Sequence, residues 1–146
     1  MAAAENFPSD REISSRRRRR DPISLDFEIE FLGRILERDP CYVEVLRVHA
    51  NNLAARGLWS RALQIDRRLV RLQPERPVPW YNLACSYAVL GKLEPAFASL
   101  QRAVDLGYPF LHHMARDPDL KSLRRDPRFS RLVRTLLSAS AAQSGA

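Results

Sequence analysis

The sequence predicts an all-α fold in which helix hairpins stack into a solenoid and a C-terminal helix caps the stack. Three observations favour this fold. The 146 residues include five glycines, which is few for an all-β chain built on tight turns. Long stretches are rich in Ala, Leu, Arg and Glu, and these residues favour helix. Helical segments also recur at a fixed interval of about 34 residues, a length typical of stacked helix hairpins.

Composition restricts the class of protein further. Hydrophobic residues make up 45% of the chain, which suits a packed core and excludes a fully disordered chain. No apolar run approaches the roughly 20 residues of a membrane span. The chain has 24 Lys and Arg against 17 Asp and Glu, a net charge of +7. Because arginines are spread over every predicted helix, part of this excess is a general compositional bias.

Residues 1–22 are predicted to form a disordered arm, because they contain few large apolar residues and a block of five arginines. Like charges in such a block repel one another and stay solvated. A solvated arm is one interpretation, and an anchor for nucleic acid or another polyanion is the alternative. Phe7 is the only aromatic residue nearby, which disfavours stacking on single strands. The block consists of Arg16, Arg17, Arg18, Arg19 and Arg20.

The helical domain is predicted to span residues 23–138. Its first helix has apolar residues at three- and four-residue steps, which places them on one face: Leu25, Ile29, Leu32, Ile35 and Leu36. Ser24 is the expected N-cap. Asp39-Pro40 ends the helix, since the residue before a proline is pushed out of the helical region.

Two helix pairs follow, at residues 42–56 with 59–73 and at 77–90 with 93–106. Gly57, Gly91 and Gly107 suit the left-handed residue that closes a helix. Shifting the sequence by one repeat aligns small residues of the two pairs: Ala50 with Ala84, Ala54 with Ala88, and Ala62 with Ala96. Such residues let paired helices approach closely.

The second pair resembles the tetratricopeptide repeat. Trp80, Leu83 and Tyr87 have the spacing of that motif, with Ala84 in place of its Gly and a following Ala96. The preceding pair matches more weakly, since His49 replaces the usual Leu and Asp66 the usual aromatic residue. The resemblance implies repeats at residues 43–76 and 77–110, preceded by a helix like the second helix of a further repeat.

The C-terminal stretch resembles the closing segment of many bacterial tetratricopeptide proteins, through Asp117-Pro118-Asp119-Leu120 and Asp126-Pro127-Arg128-Phe129. Short helices are expected at 109–115 and 118–124 and a last helix at 127–138, so that residues 111–138 form a cap. Asp117 and Asp126 are the expected N-caps of the last two. Residues 139–146 are small and polar and are expected to fray.

The resemblance also implies a concave groove lined by the first helix of each hairpin. In repeats that bind chaperone C-termini, a set of basic and Asn residues clamps the terminal carboxylates. That set resembles Arg47, Asn51, Asn82, His112 and Arg116, and Arg and amide groups are suitable donors to a carboxylate. Tyr81 is also expected to face the groove. The alternative is that these are ordinary solvated side chains.

No residue pattern predicts catalysis, a cofactor or a metal site. There is no Gly-rich phosphate loop or nucleophile elbow. His112 and His113 are adjacent, so they do not share a helix face, and Cys41 and Cys85 are expected to act as small hydrophobic residues.

The sequence therefore predicts a non-enzymatic adaptor that binds an acidic or C-terminal peptide segment of another protein in its groove. Polyanion binding by the arm is the alternative. Without an export signal, the cytoplasm is the expected compartment. The oligomeric state stays open.

Overall fold

The computed structural model describes residues 21–145, and the structural statements below concern that part of the chain. It contains helices and no strand, so the predicted all-α solenoid is confirmed. Two 3₁₀ turns, Pro118–Leu120 and Leu123–Arg125, lie before the last helix. The α-helices are α1 (Pro22–Arg38), α2 (Val43–Ala55), α3 (Trp59–Leu72), α4 (Pro77–Val89), α5 (Leu93–Asp105), α6 (Leu111–Arg116) and α7 (Pro127–Ser144).

Consecutive helices pack on one another from α1 to α5. The small residues that the repeat aligns lie where these helices meet: Ala50, Ala62, Ala84 and Ala96 are all at most 1% exposed. Large side chains such as Leu46 and Leu100 fill the spaces between them and are fully buried. The helices therefore approach at their alanines, as the sequence predicts.

Three glycines end helices in the predicted way. Gly57, Gly91 and Gly107 have φ angles of 81°, 74° and 89°, a region that side chains with a Cβ rarely adopt. After the first of them, the amide of Leu58 donates to the carbonyl of Leu53 at 2.8 Å, which is the hydrogen bond of a Schellman motif. The same pattern follows the other two glycines.

The first helix begins earlier than its sequence suggested. Asp21, not Ser24, is its N-cap, because the Asp21 carboxylate accepts a hydrogen bond from the amide of Ile23 and Pro22 occupies the first turn. The arm predicted at 1–22 thus includes one helical residue. The rest of that prediction, with the arginine block 16–20, lies outside the described residues.

Residues 117–126, which we call the closing segment, confirm two predicted caps. Asp117 accepts from the amide of Asp119 at 3.0 Å, and Asp126 accepts from that of Arg128 at 2.9 Å. Helix α7 continues to Ser144 and is therefore longer than the predicted helix at 127–138. Residues 138–144 are rich in Ala and contain neither Pro nor Gly, so nothing in them stops a helix.

Helix α7 covers the C-terminal end of the core. Its Phe129 is 4% exposed and belongs to the core cluster that includes residues of α4 and α5, and Leu132 and Leu136 pack against that cluster. Arg128 holds α7 to α5 through paired hydrogen bonds to Glu94 at 2.9 and 3.1 Å. Its guanidinium also lies 4.2 Å from the ring centre of Phe97, a cation–π contact. The predicted capping role of the last helix fits this packing.

Two residues that depart from the repeat pattern are buried polar groups. Asp66 is fully buried in α3 and accepts a hydrogen bond from the Ser86 hydroxyl of α4 at 2.6 Å. His49 is 4% exposed in α2 and lies against Gly33 of α1. Burial, followed by the nearby charges of Arg61 and Arg68, lowers the pKa of His49, so its imidazole is neutral.

Within residues 21–145, no helix combines the length and the apolar character that crossing a membrane requires.

Candidate protein-binding groove

The first helices of the two hairpins, α2 and α4, carry an open surface that we call the groove face. On α2 it includes Arg47 and Val48, which are exposed, and Asn51, which is half-buried. On α4 it includes Asn82, half-buried, and Val89, 40% exposed. Asn82 and Val89 are seven residues apart, so they share one side of α4. Each first helix thus offers an exposed valine beside polar side chains.

The exposed valines were not among the predicted site residues. Val48 is 45% exposed and lies beside Arg47 on α2. Apolar residues exposed singly are normal, but here each of the two first helices has one beside hydrogen-bond donors. The signal in the sequence was an aliphatic residue at a groove position of each repeat.

The short helix α6 carries the two remaining residues of the predicted clamp. His112 and Arg116 are exposed and four residues apart, so they lie one turn apart on the same side of α6. Helix α6 ends at Arg116, since Asp117 already has an extended conformation and Pro118 follows. Arg116 is therefore the last residue of α6.

The prediction that Tyr81 faces the groove is wrong. Its side chain is 2% exposed and its ring stacks on Tyr108 with 4.2 Å between ring centres. The hydroxyl donates a hydrogen bond to Asp117 Oδ2 at 2.5 Å. The cause is the closing segment, which covers this side of α4 and comes from 36 residues further along the chain.

Asp117 is the centre of a buried polar cluster between α4 and the closing segment. It is 3% exposed, and its Oδ2 lies 3.2 Å from His113 Nε2 and 3.9 Å from Cys85 Sγ. Burial, with Cys85 and Asp117 adding to it, raises the pKa of Tyr81. The phenol therefore stays protonated and donates to the carboxylate. Of the two adjacent histidines, His113 joins this cluster, whereas His112 is exposed.

The same cluster contains atoms that could hold a metal ion. One ligand atom each from Cys85, Asp117 and Asp119 lies within 4.8 Å of the others. Asp117, however, already accepts from Tyr81 and from the amide of Asp119. These contacts give the carboxylate a structural role, which is to fasten the closing segment to α4.

The closing segment also forms a cleft with the end of α4. The Ser122 hydroxyl donates to the Ala88 carbonyl at 2.9 Å and fixes the segment there. Beside this contact lies a cleft of about 330 Å³ whose rim includes Val89, Lys121 and Arg125, with Asp119 also contributing. The cleft shares Val89 with the groove face and extends that face towards the C-terminus. Neither Lys121 nor Arg125 was among the predicted site residues.

Of the two cysteines, Cys85 is buried in the core as expected. Cys41 is exposed because it lies in the turn between α1 and α2. The expectation that it acts as a small hydrophobic residue inside a helix is therefore wrong.

Comparison with known proteins finds partial similarities to longer chains. The chain is 30% identical over 81 residues to a protein of Arabidopsis thaliana that is named as chloroplastic, covering 53% of this chain and 24% of that protein. It is 32% identical over 73 residues to "Cell division cycle protein 16 homolog" of Homo sapiens, covering 49% of this chain and 12% of that protein. The same values hold for the Mus musculus protein of that name.

No family model matches the chain. The similarities and the consecutive helix hairpins together fit a tetratricopeptide-like family. The matched part is at most about a quarter of the length of these relatives, so they support the architecture of the repeat region.

Proposed function

We propose that the protein is a non-catalytic interaction module that binds a peptide segment of another protein on its groove face. The observation that carries this proposal is the arrangement of α2 and α4, each with an exposed valine beside polar donors. Protein interfaces combine apolar contact with hydrogen bonds in this way. The similarity to parts of much longer proteins is consistent with a module whose role is to make contacts.

The charges around the groove face favour an acidic peptide. Arg47, Arg116, Lys121 and Arg125 form no salt bridge within residues 21–145. By contrast, Arg128 is held by two carboxylates. Unpaired guanidinium groups can form bidentate hydrogen bonds to an incoming carboxylate. We propose that an extended peptide places acidic groups near these cations and a small apolar side chain against Val48 or Val89.

A terminal-carboxylate clamp is the finer form of this proposal. It would use Arg47, Asn51 and Asn82 from the two first helices, with His112 and Arg116 from α6. Tyr81 is excluded from this set by its burial.

Selection from a random peptide library against the full chain tests the proposal. We expect acidic sequences to be enriched, and the Kd of a selected peptide to rise at least tenfold in an Arg47→Ala/Asn82→Ala variant. Arg67→Ala is the matched control, since Arg67 is an exposed arginine on the second helix α3. Amidation of the peptide C-terminus should weaken binding further only if the terminal clamp operates.

Two results would contradict groove binding: no enrichment, or peptides that bind the groove variant as tightly as the unchanged protein. Polyanion binding through the arm is distinguished by removal of residues 1–20, which should leave groove binding intact. Arm binding should also fall steeply with salt. The cytoplasm remains the expected compartment from the sequence, although the name of one relative places that relative in the chloroplast.

A further inference from the structure

The first helix carries an apolar stripe on the side that faces away from the rest of the protein. Ile23, Phe27 and Phe31 are 79%, 68% and 54% exposed, the three largest values among the large apolar side chains described. They are spaced by four residues, so they form one ridge along α1. The rings of Phe27 and Phe31 stack with 6.2 Å between their centres. We call these three residues the α1 stripe.

The internal repeat shows that this stripe is unusual. Shifting by one repeat places Phe27 on Arg61, and a second shift places it on Pro95; both are exposed. Phe31 falls on Ile65, which packs against the first helix of its own hairpin. A missing hairpin partner would therefore explain the exposure of Phe31. It would not explain an aromatic residue at position 27, where the other repeats have a solvent-facing residue.

The residues before α1 do not have the sequence of a helix that could cover the stripe. The same repeat shift aligns the apolar positions 46, 50 and 53 of α2 with Glu12, Arg16 and Arg19. A helix built from these residues would have charges where α2 has its buried Leu and Ala side chains. A helix in that register would offer the stripe no apolar partner, whereas the spacing of the stripe itself points to one.

We infer that the α1 stripe is a self-association surface on which α1 of a second copy lies antiparallel. The stripe is symmetric about Phe27. In an antiparallel pair with Phe27 at the two-fold axis, Phe27 meets its own equivalent and Ile23 of each copy meets Phe31 of the other. Every stripe residue then has an apolar partner, as a self-complementary two-fold interface requires. Antiparallel packing is also how the helices of each hairpin are arranged.

The size of the stripe indicates a weak dimer. With about 200 Å² for a fully exposed side chain of this size, the three exposures leave about 400 Å² of apolar surface on each copy. Two stripes would bury about 800 Å², below the roughly 1,200 Å² of a stable complex and within the range of transient ones. The dimer should therefore be weak and reversible.

Sedimentation equilibrium of the full chain between about 10 μM and 1 mM tests the inference. The average mass should rise from that of a monomer towards twice that value, and the rise should persist at about 1 M salt because apolar burial is not screened by ions. A Phe27→Ser/Phe31→Ser variant should shift the midpoint at least tenfold to higher concentration. The control variant Val48→Ser/Val89→Ser removes exposed apolar surface from the groove face. It should leave the midpoint of self-association unchanged.

Cysteine cross-linking tests the antiparallel register. In a Cys41→Ser background, chains with Ile23→Cys should cross-link on oxidation to chains with Phe31→Cys in preference to chains of their own kind. Circular dichroism of each variant checks that the helices are retained. A monomer at every concentration, higher aggregates instead of a dimer, or a dimer lost in the groove-face variant but kept in the stripe variant would each overturn the inference. Cross-linking between chains of the same kind would overturn the register.

Discussion

The hydrogen bond between Tyr81 and Asp117 should be worth a measurable share of the stability of the whole solenoid. Tyr81→Phe removes the phenol hydroxyl and leaves the buried Asp117 carboxylate without one of its donors. A hydrogen bond to a charged group contributes about 1.5–3 kcal/mol to the free energy of unfolding. For a domain of this size, each kcal/mol corresponds to a Tm change of about 4 °C. We therefore expect the Tm to fall by about 6–12 °C.

Thermal unfolding followed by circular dichroism measures this loss, and α4 supplies its own control. Tyr87→Phe is the same chemical change on a half-buried tyrosine whose hydroxyl makes no hydrogen bond within residues 21–145, so its Tm should change by less than about 2 °C. Asp117→Asn keeps an N-cap acceptor for the Pro118 turn and removes the charge. The double variant Tyr81→Phe/Asp117→Asn should lower the Tm by less than the sum of the decreases in the two single variants. If the Tm of Tyr81→Phe equals that of Tyr87→Phe, the Tyr81–Asp117 hydrogen bond does not stabilise the packing of the closing segment on α4, and the reasoning is refuted.

Two further predictions concern other polar groups of the fold. His49→Leu should stabilise the protein by about 1 kcal/mol, because it removes the buried Nδ1 that has no partner within residues 21–145. The lowered pKa of His49 means that the unfolded chain binds a proton below about pH 6.5 while the folded chain does not. Stability should thus fall as the pH drops from 6.5 through the lowered folded pKa, and urea unfolding across this range should show no such slope in His49→Leu. Arg128→Lys should lower the Tm at low salt and less at high salt, since Lys cannot replace the paired contacts to Glu94. Arg128 lowers the pKa of Glu94 by hydrogen bonding. The stability that this pair contributes should therefore be complete above pH 4.5 and be lost as the pH falls through the lowered pKa of Glu94. An unchanged melting profile in Arg128→Lys would contradict this prediction.

Features set by short-range sequence signals were predictable. The helix-closing glycines and the caps Asp117 and Asp126 depend on residues two to five positions away, so local spacing identifies them. The repeat interval added the stacking of the hairpins. Where local signals competed, the prediction failed: Asp21 and Ser24 can both cap a helix, and the Pro22 between them favours the earlier start.

The burial of Tyr81 could not be read from local spacing. Its position in the repeat indicates a groove-lining residue, and only the return of the closing segment across α4 buries it. The contact of His113 with Asp117 also depends on the position of this segment. Neighbours on a helix point in different directions, and the position of Asp117 in space determines which of them is held. Lys121 and Arg125 were missed because their cleft exists only after the segment has folded against α4.

The two ends of the solenoid differ in a way that bears on how the protein assembles. A stack of repeats needs a terminal element with a polar outer face at each end, since otherwise its last apolar surface stays exposed. Helix α7 meets this need at one end: Phe129 faces the core, and Arg131 and Arg134 face outwards. Helix α1 does not meet it, because its outer face carries Phe27 and Phe31. Within residues 21–145, one end is covered by α7 and the other has exposed aromatic rings. This arrangement suits the pairing through α1 that we infer above, which would leave the groove face of each copy accessible to a peptide.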